Sequence, residues 1–177
     1  FISEGRTLLQ AVAWCGSLAT PGCARRATDV VAQTSIEGDP QPPPFRGSVG
    51  SRLLVPHPAV ERAELMSVAL GSSDAGELAA GLGILTTDTP TFSPWFEEFE
   101  VLEMLPPREE KVRRWLNSYG AGRVVVRSRD KAIDADIWSK KLQGAGDLEV
   151  VLFGLRLVRK IVVFATRRVS QPGSSAP

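Results

Sequence analysis

The sequence predicts an α+β fold in which helices pack on a mixed or antiparallel sheet. The segment 99–129 has the pattern strand, helix, strand, with prolines at the first junction and glycines at the second. Two further β-rich runs follow at 148–153 and 159–168, and they are expected to form a hairpin that closes the sheet. The predicted order from residue 51 onward, α-α-β-β-α-β-α-β-β, is typical of helices gathered on one face of a sheet.

The first 37 residues are expected to contribute a β-hairpin. The apolar run 8–15 predicts a buried strand or the end of a helix, and 25–32 predicts a second strand after a turn at Pro21-Gly22. A hairpin alone is marginally stable, so these strands need partners. Because Phe1 is not an initiator methionine, we expect the partner strands upstream of it, in a longer polypeptide.

Residues 38–50 are predicted to be a linker. Four prolines and three glycines among these 13 residues exclude a helix or an inner strand, and the proline run favours a stiff, extended chain. We therefore place a domain boundary here, with a second domain at 51–169. The Ser/Pro/Gly-rich tail 170–177 is expected to be disordered.

Two helices are predicted after the linker. Pro58 suits the first position of a helix with His57 near its cap, and the apolar residues 59, 63, 66 and 70 form one seam before Gly71. Ser73 is a candidate cap for a short helix over 74–82. A short strand at 84–87 and a loop at 89–94 lead into the strand at 99–105.

The central helix has the clearest pattern. Pro107 is a candidate first residue, and Val112, Trp115, Leu116 and Tyr119 form an apolar stripe at positions i, i+3, i+4 and i+7. After a strand that begins with three valines at 124–126, Asp134 is expected to cap a third helix that runs to about Leu142. The strand at 161–165 is expected to lie in an inner position of the sheet.

Composition and cysteine content exclude several classes of protein. The 177 residues are 43% hydrophobic and 23% charged, and no apolar run reaches the ~18–20 residues that span a bilayer. The N-terminal residues lack the pattern of a secretion signal, so we expect a cytoplasmic protein without membrane partners. Cys15 and Cys23 with one distant histidine do not make a zinc or redox motif. Unpaired thiols are favoured over a short-range disulfide.

Candidate chemical sites are few. His57 is the single histidine, so no catalytic triad is available, and a structural role at the helix cap is favoured over a catalytic one. Gly120-Ala121-Gly122 follows a helix, whereas a phosphate-binding loop precedes one. Glu98 and Glu100 fall on one face of a strand, where they could bind a metal or act as an acid–base pair. The favoured alternative is the solvent side of an edge strand. No catalytic, cofactor-binding or metal-binding residue is therefore assigned.

The charges of the chain are unevenly distributed. Residues 1–107 contain six Lys/Arg and 13 Asp/Glu, whereas residues 108–177 contain 15 and seven. This asymmetry indicates a surface for a polyanion, although solvated helices also contain many cations. Cations spread over several elements suit phosphate contacts on a folded RNA better than base readout. The candidate nucleic-acid-binding residues are Arg108, Lys111, Arg114, Arg127, Arg129, Lys131, Lys140, Lys141, Arg159 and Lys160.

Three motifs resemble a known family. The segment 52–65 reads R-L-L-V-P-H-P-A-V-E-R-A-E-L, and it is followed by L-T-T-D at 85–88 and F-E-V-L-E-M-L-P at 99–106. Together these resemble the THUMP-like C-terminal domain of bacterial class I S-adenosylmethionine (SAM)-dependent methyltransferases. The motifs F-I-S, W-C-G and R-R-A-T within residues 1–28 resemble the closing strands of the methyltransferase domain in the same proteins.

The resemblance implies a SAM-dependent methyltransferase with RNA as the expected substrate. Residues 1–37 would be a remnant β-hairpin of a Rossmann-like domain, and 51–169 would be a THUMP-like domain that binds substrate. The Gly-rich SAM loop and the catalytic motif are absent here, so SAM would be bound by the protein's own N-terminal methyltransferase domain and not by these residues. The alternatives are a non-enzymatic RNA-binding module and a protein-interaction module.

Overall fold

The computed structural model describes residues 1–19, 22, 24–129 and 131–170. Its secondary structure confirms the α+β class. The elements in chain order are β1 (Ile2–Glu4), β2 (Thr7–Gln10), a 3-10 turn (Gly16–Leu18), β3 (Arg25–Asp29), β4 (Thr34–Gly38), β5 (Arg52–Pro56), α1 (Pro58–Ala63), α2 (Met66–Leu70), β6 (Gly76–Glu77), β7 (Leu85–Thr87), β8 (Phe96–Leu105), α3 (Glu109–Tyr119), β9 (Ala121–Ser128), α4 (Ala135–Lys141), β10 (Leu148–Leu157) and β11 (Lys160–Arg168).

Tertiary contacts divide the chain into two compact units. Unit 1 comprises Phe1–Ser48 and Leu54–Glu97, and unit 2 comprises Val49–Leu53 with the described residues from Glu98 onward. This division differs from the predicted boundary at 38–50. The difference arises because the segment after the linker contributes its helices to the same core as the N-terminal strands. The predicted disordered tail lies, from residue 171, outside the described residues.

Unit 1 contains a four-stranded sheet with the order β2-β1-β3-β4. Strand β1 is antiparallel to β2 and parallel to β3, and β3 is antiparallel to β4. The predicted hairpin between 8–15 and 25–32 is therefore wrong, because β1 lies between the two strands that were expected to pair. At three residues, β1 is too short to show a periodic pattern in the sequence.

The proline run of the linker is hydrogen-bonded to α2 and β6 of unit 1. The Ser67 hydroxyl donates to the Pro42 carbonyl at 2.7 Å, and the Glu77 amide donates to the Pro44 carbonyl at 2.6 Å. Gly76 faces this backbone so closely that a side chain there would meet the Pro44 carbonyl oxygen. These hydrogen bonds attach the proline run directly to unit 1.

Two helix predictions for unit 1 require correction. The single helix over 58–70 is two helices, because Glu64 adopts a left-handed conformation with φ of 54°. The Leu65 amide then bonds back to the Val60 carbonyl at 3.1 Å, the six-to-one bond of a Schellman motif, and the Leu65 side chain enters the core. The helix predicted over 74–82 is absent from the described structure. Its first part forms β6, which pairs with β7.

Unit 2 contains the consecutive strands β8-β11-β10-β9. Strands β10 and β11 form the predicted hairpin, and β11 takes the predicted inner position between β10 and β8. Strand β9 is parallel to β10. Alternate residues of β9, β10 and β11 face helices α3 and α4, and their shared core is Val112, Leu116, Ala121, Val124, Val126, Leu142, Val150, Leu152, Val163 and Ala165.

The helices of unit 2 largely follow the predicted patterns. The predicted stripe on α3 buries Val112 and Leu116, and Asp134 caps α4 by accepting from the Ile137 amide at 2.9 Å. Pro107 is not the first residue of α3, since the helix begins at Glu109 with Arg108 at the cap. Among the described residues, none of the helices has the length and apolar character required to cross a bilayer.

Helix α4 also protects the exposed edge of the sheet. Strand β9 is last in the strand order, so one side of its backbone lacks a neighbouring strand. The Gln143 side chain accepts from the Val124 amide at 3.1 Å and donates to the Val124 carbonyl at 2.7 Å. The Ser139 hydroxyl accepts from the Val126 amide at 3.2 Å. Side chains of α4 and its C-terminal loop therefore replace the missing strand.

Candidate nucleic-acid interface

The strand register brings the ends of several strands together on one side of the unit 2 sheet. Leu105, Val163, Gly154 and Ser128 form a row across the four strands β8, β11, β10 and β9. Strands β8 and β9 end at this row, and the β10–β11 hairpin extends three residues beyond it, to Leu157 and Lys160. The segments 106–108, 129–133 and 155–162 consequently lie on the same side of the sheet.

These segments contain a concentration of positive charge, which we call the basic edge. None of the described residues in the three segments is acidic, and Asp130, which lies outside the described residues, is the one acidic residue in their sequence. Five of the cations are exposed, and Arg129 is half-buried. The basic edge consists of Arg108, Arg129, Lys131, Arg156, Arg159 and Lys160.

Five of the ten predicted contact residues therefore come together at the basic edge. The sixth member, Arg156, was not in the predicted set, although it lies close in sequence to Arg159 and Lys160. The pairing of Leu157 with Lys160 places Arg156 beside the hairpin turn. Lys111 and Arg114 are exposed on the first two turns of α3, immediately after Arg108.

The loop after β9 is held in place by packing. The Ser128 hydroxyl accepts from the Ile133 amide at 3.2 Å, and Lys131 adopts a left-handed conformation with φ of 51°. Ile133 lies against Gly154 of β10 so closely that any side chain at Gly154 would overlap it. Lys131 is therefore presented by a short, anchored loop.

Lys141 has a different environment from the basic edge. Its ammonium group donates to Glu109 at 3.2 Å, and Arg113 donates to the other oxygen of the same carboxylate at 2.6 Å. The hydrogen bond from Lys141 and then that from Arg113 lower the pKa of Glu109. Lys141 therefore joins α4 to α3, while the neighbouring Lys140 is exposed.

Arg127 packs on aromatic rings. Its guanidinium carbon lies 5.1 Å from the ring centre of Phe99 and 5.7 Å from that of Phe153. These distances are typical of cation–π contacts. The two rings meet edge to face at 4.9 Å. Arg127 comes one residue before the row that ends at Ser128, and its aromatic contacts give it a structural role in unit 2.

Two glutamates of β8, Glu98 and Glu100, form ion pairs with arginines. Glu98 is buried and pairs with Arg52, so its predicted position on the solvent side of an edge strand is wrong. Glu100 accepts from Arg167 at 2.6 Å, and this contact raises the pKa of Arg167. Among the described residues there is no cluster of three or more potential metal ligands. Glu98 and Glu100 are therefore both engaged with arginine side chains.

His57 has the structural role predicted for it. Its Nδ1 accepts from the Ala59 amide at 3.4 Å and caps α1. Its Nε2 lies 3.2 Å from Oδ2 of Asp29, and its ring meets Trp95 edge-on at 5.6 Å. Burial lowers the pKa of His57, and the nearby charge of Asp29 opposes this effect without reversing it. The imidazole is thus neutral near pH 7 and buried away from solvent.

The glycine-rich segments are packed against each other. Gly144 and Gly146 donate backbone hydrogen bonds to Gly122 and Ala121, at 2.9 and 3.3 Å. A side chain at Gly122, Gly144 or Gly146 would overlap backbone atoms of the opposite segment. These amides and this space are already occupied, so the segments do not form an open cradle for the phosphate or carboxylate of a ligand.

Unit 1 contains a groove of about 740 Å³ beside β1 and β3. Exposed apolar side chains line it, including Val12, Trp14 and Leu18, together with Arg25 and Arg26. No acidic residue is among the described residues that line it. The described lining of this groove therefore lacks a carboxylate that could bind the ribose hydroxyls of SAM.

Comparison with known proteins agrees with the fold. The family model described as THUMP domain-like matches residues 97–170. A crystal structure of a "putative methyltransferase" from Porphyromonas gingivalis W83 resembles the chain with a TM-score of 0.62 and 15% sequence identity, over 82% of this chain and 38% of that one. The chain thus spans well under half the length of that protein, and at this identity the similarity shows the fold alone. A search of curated proteins found no significant match.

Proposed function

We propose that this chain is the C-terminal portion of a cytoplasmic SAM-dependent methyltransferase that acts on RNA, and that unit 2 binds the RNA substrate. The observation that supports RNA binding most directly is the basic edge, where the strand register brings together basic side chains from three separate segments. The match to the THUMP domain-like family covers the whole of this edge. The fold similarity to the Porphyromonas gingivalis protein supports the methyltransferase context.

The geometry of the basic edge suits phosphate contacts. The cations lie in loops and strand ends on three separate segments, and they are spread along the edge of a sheet. Phosphate contacts position a nucleic acid without reading its sequence. The contacting side chains must be spaced along the nucleic-acid backbone, and they do not need a defined pocket. Structured RNA presents such backbones in defined shapes. Lys111 and Arg114 on α3 extend the same surface away from the edge.

Methyl transfer belongs to another part of the proposed enzyme. SAM supplies an electrophilic methyl group when it is bound, but the described residues do not form a site that fits it. We therefore assign SAM to the protein's own N-terminal methyltransferase domain. The residues of this chain would hold and orient the RNA, and we derive no chemical step from them.

The proposed function can be tested by measuring RNA affinity against salt concentration. Fluorescence anisotropy with a labelled RNA hairpin should show binding that weakens steeply with salt, with a log–log slope of about −4 if most of the basic edge contacts phosphate. The triple variant Arg108→Glu, Arg159→Glu, Lys160→Glu should bind at least about tenfold more weakly with a shallower slope.

A matched control lies at the opposite end of β9. Arg123 is exposed and pairs with Glu149 at 3.2 Å, away from the basic edge. Arg123→Glu should leave RNA affinity within about twofold of wild type, because Arg123 lies away from the basic edge. The variant should also remain folded, since exposed ion pairs contribute little to stability. Absence of wild-type RNA binding, or equal loss in the control and the triple variant, would overturn the proposed function of unit 2.

A protein-interaction role is a second candidate, and the groove of unit 1 favours it. Trp14 and Leu18 are among the most exposed large apolar residues, and exposed apolar surface next to a groove is typical of a protein contact. The proposed N-terminal methyltransferase domain is the partner we assign to it. A non-enzymatic RNA-binding module remains distinguishable, because it would bind RNA but transfer no methyl group as the full-length protein.

A further inference from the structure

The tip of the β10–β11 hairpin has an unusual residue in an unusual conformation. Leu157 pairs with Lys160, so Val158 and Arg159 alone make the turn. Val158 has φ of 55°, in the left-handed region. The favoured two-residue turns place a positive φ at the first loop position, where glycine, asparagine and aspartate predominate. For a β-branched residue this conformation is a strained outlier.

Burial does not explain the valine. Its side chain is 88% exposed, the highest value among the exposed large hydrophobic residues of the described structure. Core residues in strained conformations are stabilised by the contacts that surround them, but here the chain supplies few such contacts. Residues held in strained backbone conformations are often functional, and here neither turn preference nor packing accounts for the residue type.

The residues around Val158 indicate what it could contact. Arg156, Arg159 and Lys160 lie within two positions of it, and all three are exposed members of the basic edge. An apolar group surrounded by cations is complementary to a nucleic acid at a point where base faces are accessible beside phosphates. An apolar surface on a partner protein could contact Val158, but it would offer no anions to pair with these cations.

We propose that Val158 is an apolar wedge that packs against an exposed base of the RNA while the neighbouring cations contact phosphates. This inference rests on the proposed RNA-binding function of unit 2. Apolar side chains inserted at base steps are a known means of contact with nucleic acids, and unpaired bases in RNA loops offer open faces. The branched side chain has few rotamers, so little side-chain entropy is lost when it is held against a base.

The proposal separates stability from binding at one residue. Val158→Gly relieves the backbone strain, so the melting temperature should stay at or rise above that of the wild type. The same substitution removes the apolar group. Affinity for an RNA hairpin with an unpaired loop should fall by about tenfold, the factor expected when one valine side chain is no longer buried.

Two comparisons identify the wedge. The salt slope of Val158→Gly should equal that of the wild type, because no charge changes. Affinity for a fully paired RNA duplex without a loop should change less than twofold, since its base faces are stacked. Val31→Gly is the matched control. Val31 is likewise an exposed valine, with 66% of its surface accessible, but it lies in unit 1.

The outcomes distinguish the two proposals. If the wild type fails to bind either RNA, the RNA-binding function itself is overturned. If the wild type binds with a steep salt dependence and Val158→Gly binds the looped RNA equally well, only the wedge is overturned. Equal loss on looped and paired RNA would also overturn the wedge, because contact with an exposed base would not explain it.

Discussion

The Nε2 atom of His57 lies 3.2 Å from Oδ2 of Asp29, and both side chains are buried. The other carboxylate oxygen of Asp29 accepts from the amides of Gly5 and Val31, at 3.1 and 3.0 Å. A single carboxylate therefore joins the turn after β1, the turn after β3 and the cap of α1. Unit 1 depends on a polar cluster at the point where these segments meet.

This cluster predicts that the stability of unit 1 depends on pH. Burial lowers the pKa of His57 below 6.5, so the unfolded chain takes up a proton at a higher pH than the folded chain. The free energy of unfolding should be constant above about pH 6.5 and should fall as pH decreases below it. Urea denaturation at pH 7.5 and 5.5 measures this change.

His57→Asn serves as the control for the pH effect. Asparagine retains a side-chain acceptor for the cap of α1 but does not titrate. The variant should lose less stability than the wild type between the two pH values, although Asp29 and Arg6 still face the site. Identical pH dependence in both proteins would show that His57 is not the titrating group.

The interlocked glycines of unit 2 predict a large effect from a small substitution. Gly146→Ala places a methyl group on the carbonyl oxygen of Gly120, and backbone atoms cannot rotate away as a side chain can. We expect a loss of about 3 kcal/mol in the free energy of unfolding, at the upper end for overpacking. Urea denaturation gives the value.

Gly120→Asn is the matched substitution for the glycine prediction. Gly120 has φ of 81° and no atom near the position of a side chain, so conformation alone restricts it. Asparagine tolerates this conformation, and the cost should stay below about 1 kcal/mol. If the two variants were equally destabilised, close backbone approach would not be the cause of the effect at Gly146.

The contact between α4 and β9 predicts an increase in self-association when it is removed. Gln143→Leu deletes two hydrogen bonds to Val124 and should cost about 1–2 kcal/mol. It also exposes an amide and a carbonyl on the last strand, a template for pairing with another copy. Size-exclusion chromatography at increasing concentration should show larger species for Gln143→Leu than for Lys140→Ala, a substitution at an exposed position of α4.

The ion pair between the buried Glu98 and the half-buried Arg52 predicts an asymmetry between single and double substitution. Arg52→Leu leaves a buried carboxylate without this partner and should cost about 3 kcal/mol. Adding Glu98→Leu removes that charge and should restore part of the lost stability. Denaturation of both variants decides the matter, and a double variant that is less stable than the single one would contradict the prediction.

Local patterns predicted unit 2 well. The apolar stripe of α3, the Asp134 cap and the β10–β11 hairpin depend on residues close together in the sequence, and all three are confirmed. The failures lie where distant segments compete with local preference. Helix α1 ends just before Glu64, which is in a left-handed conformation. This turn lets the next side chain, Leu65, enter the core, and that contact outweighs the local preference for a longer helix. The segment 74–82 pairs with β7 and the linker instead of forming a helix.

The candidate site shows the same division. The sequence by itself determined the fold class, the caps at His57 and Asp134 and the excess of cations after residue 107, because each follows from composition or from neighbours within a few positions. Tertiary structure alone decided which cations share a surface. The register of four strands brings Arg108, Lys131 and Arg159 to one edge, whereas Arg127 packs on Phe99 and Lys141 pairs with Glu109. Register and ion pairing depend on contacts between residues far apart in the chain, and a one-dimensional pattern does not contain them.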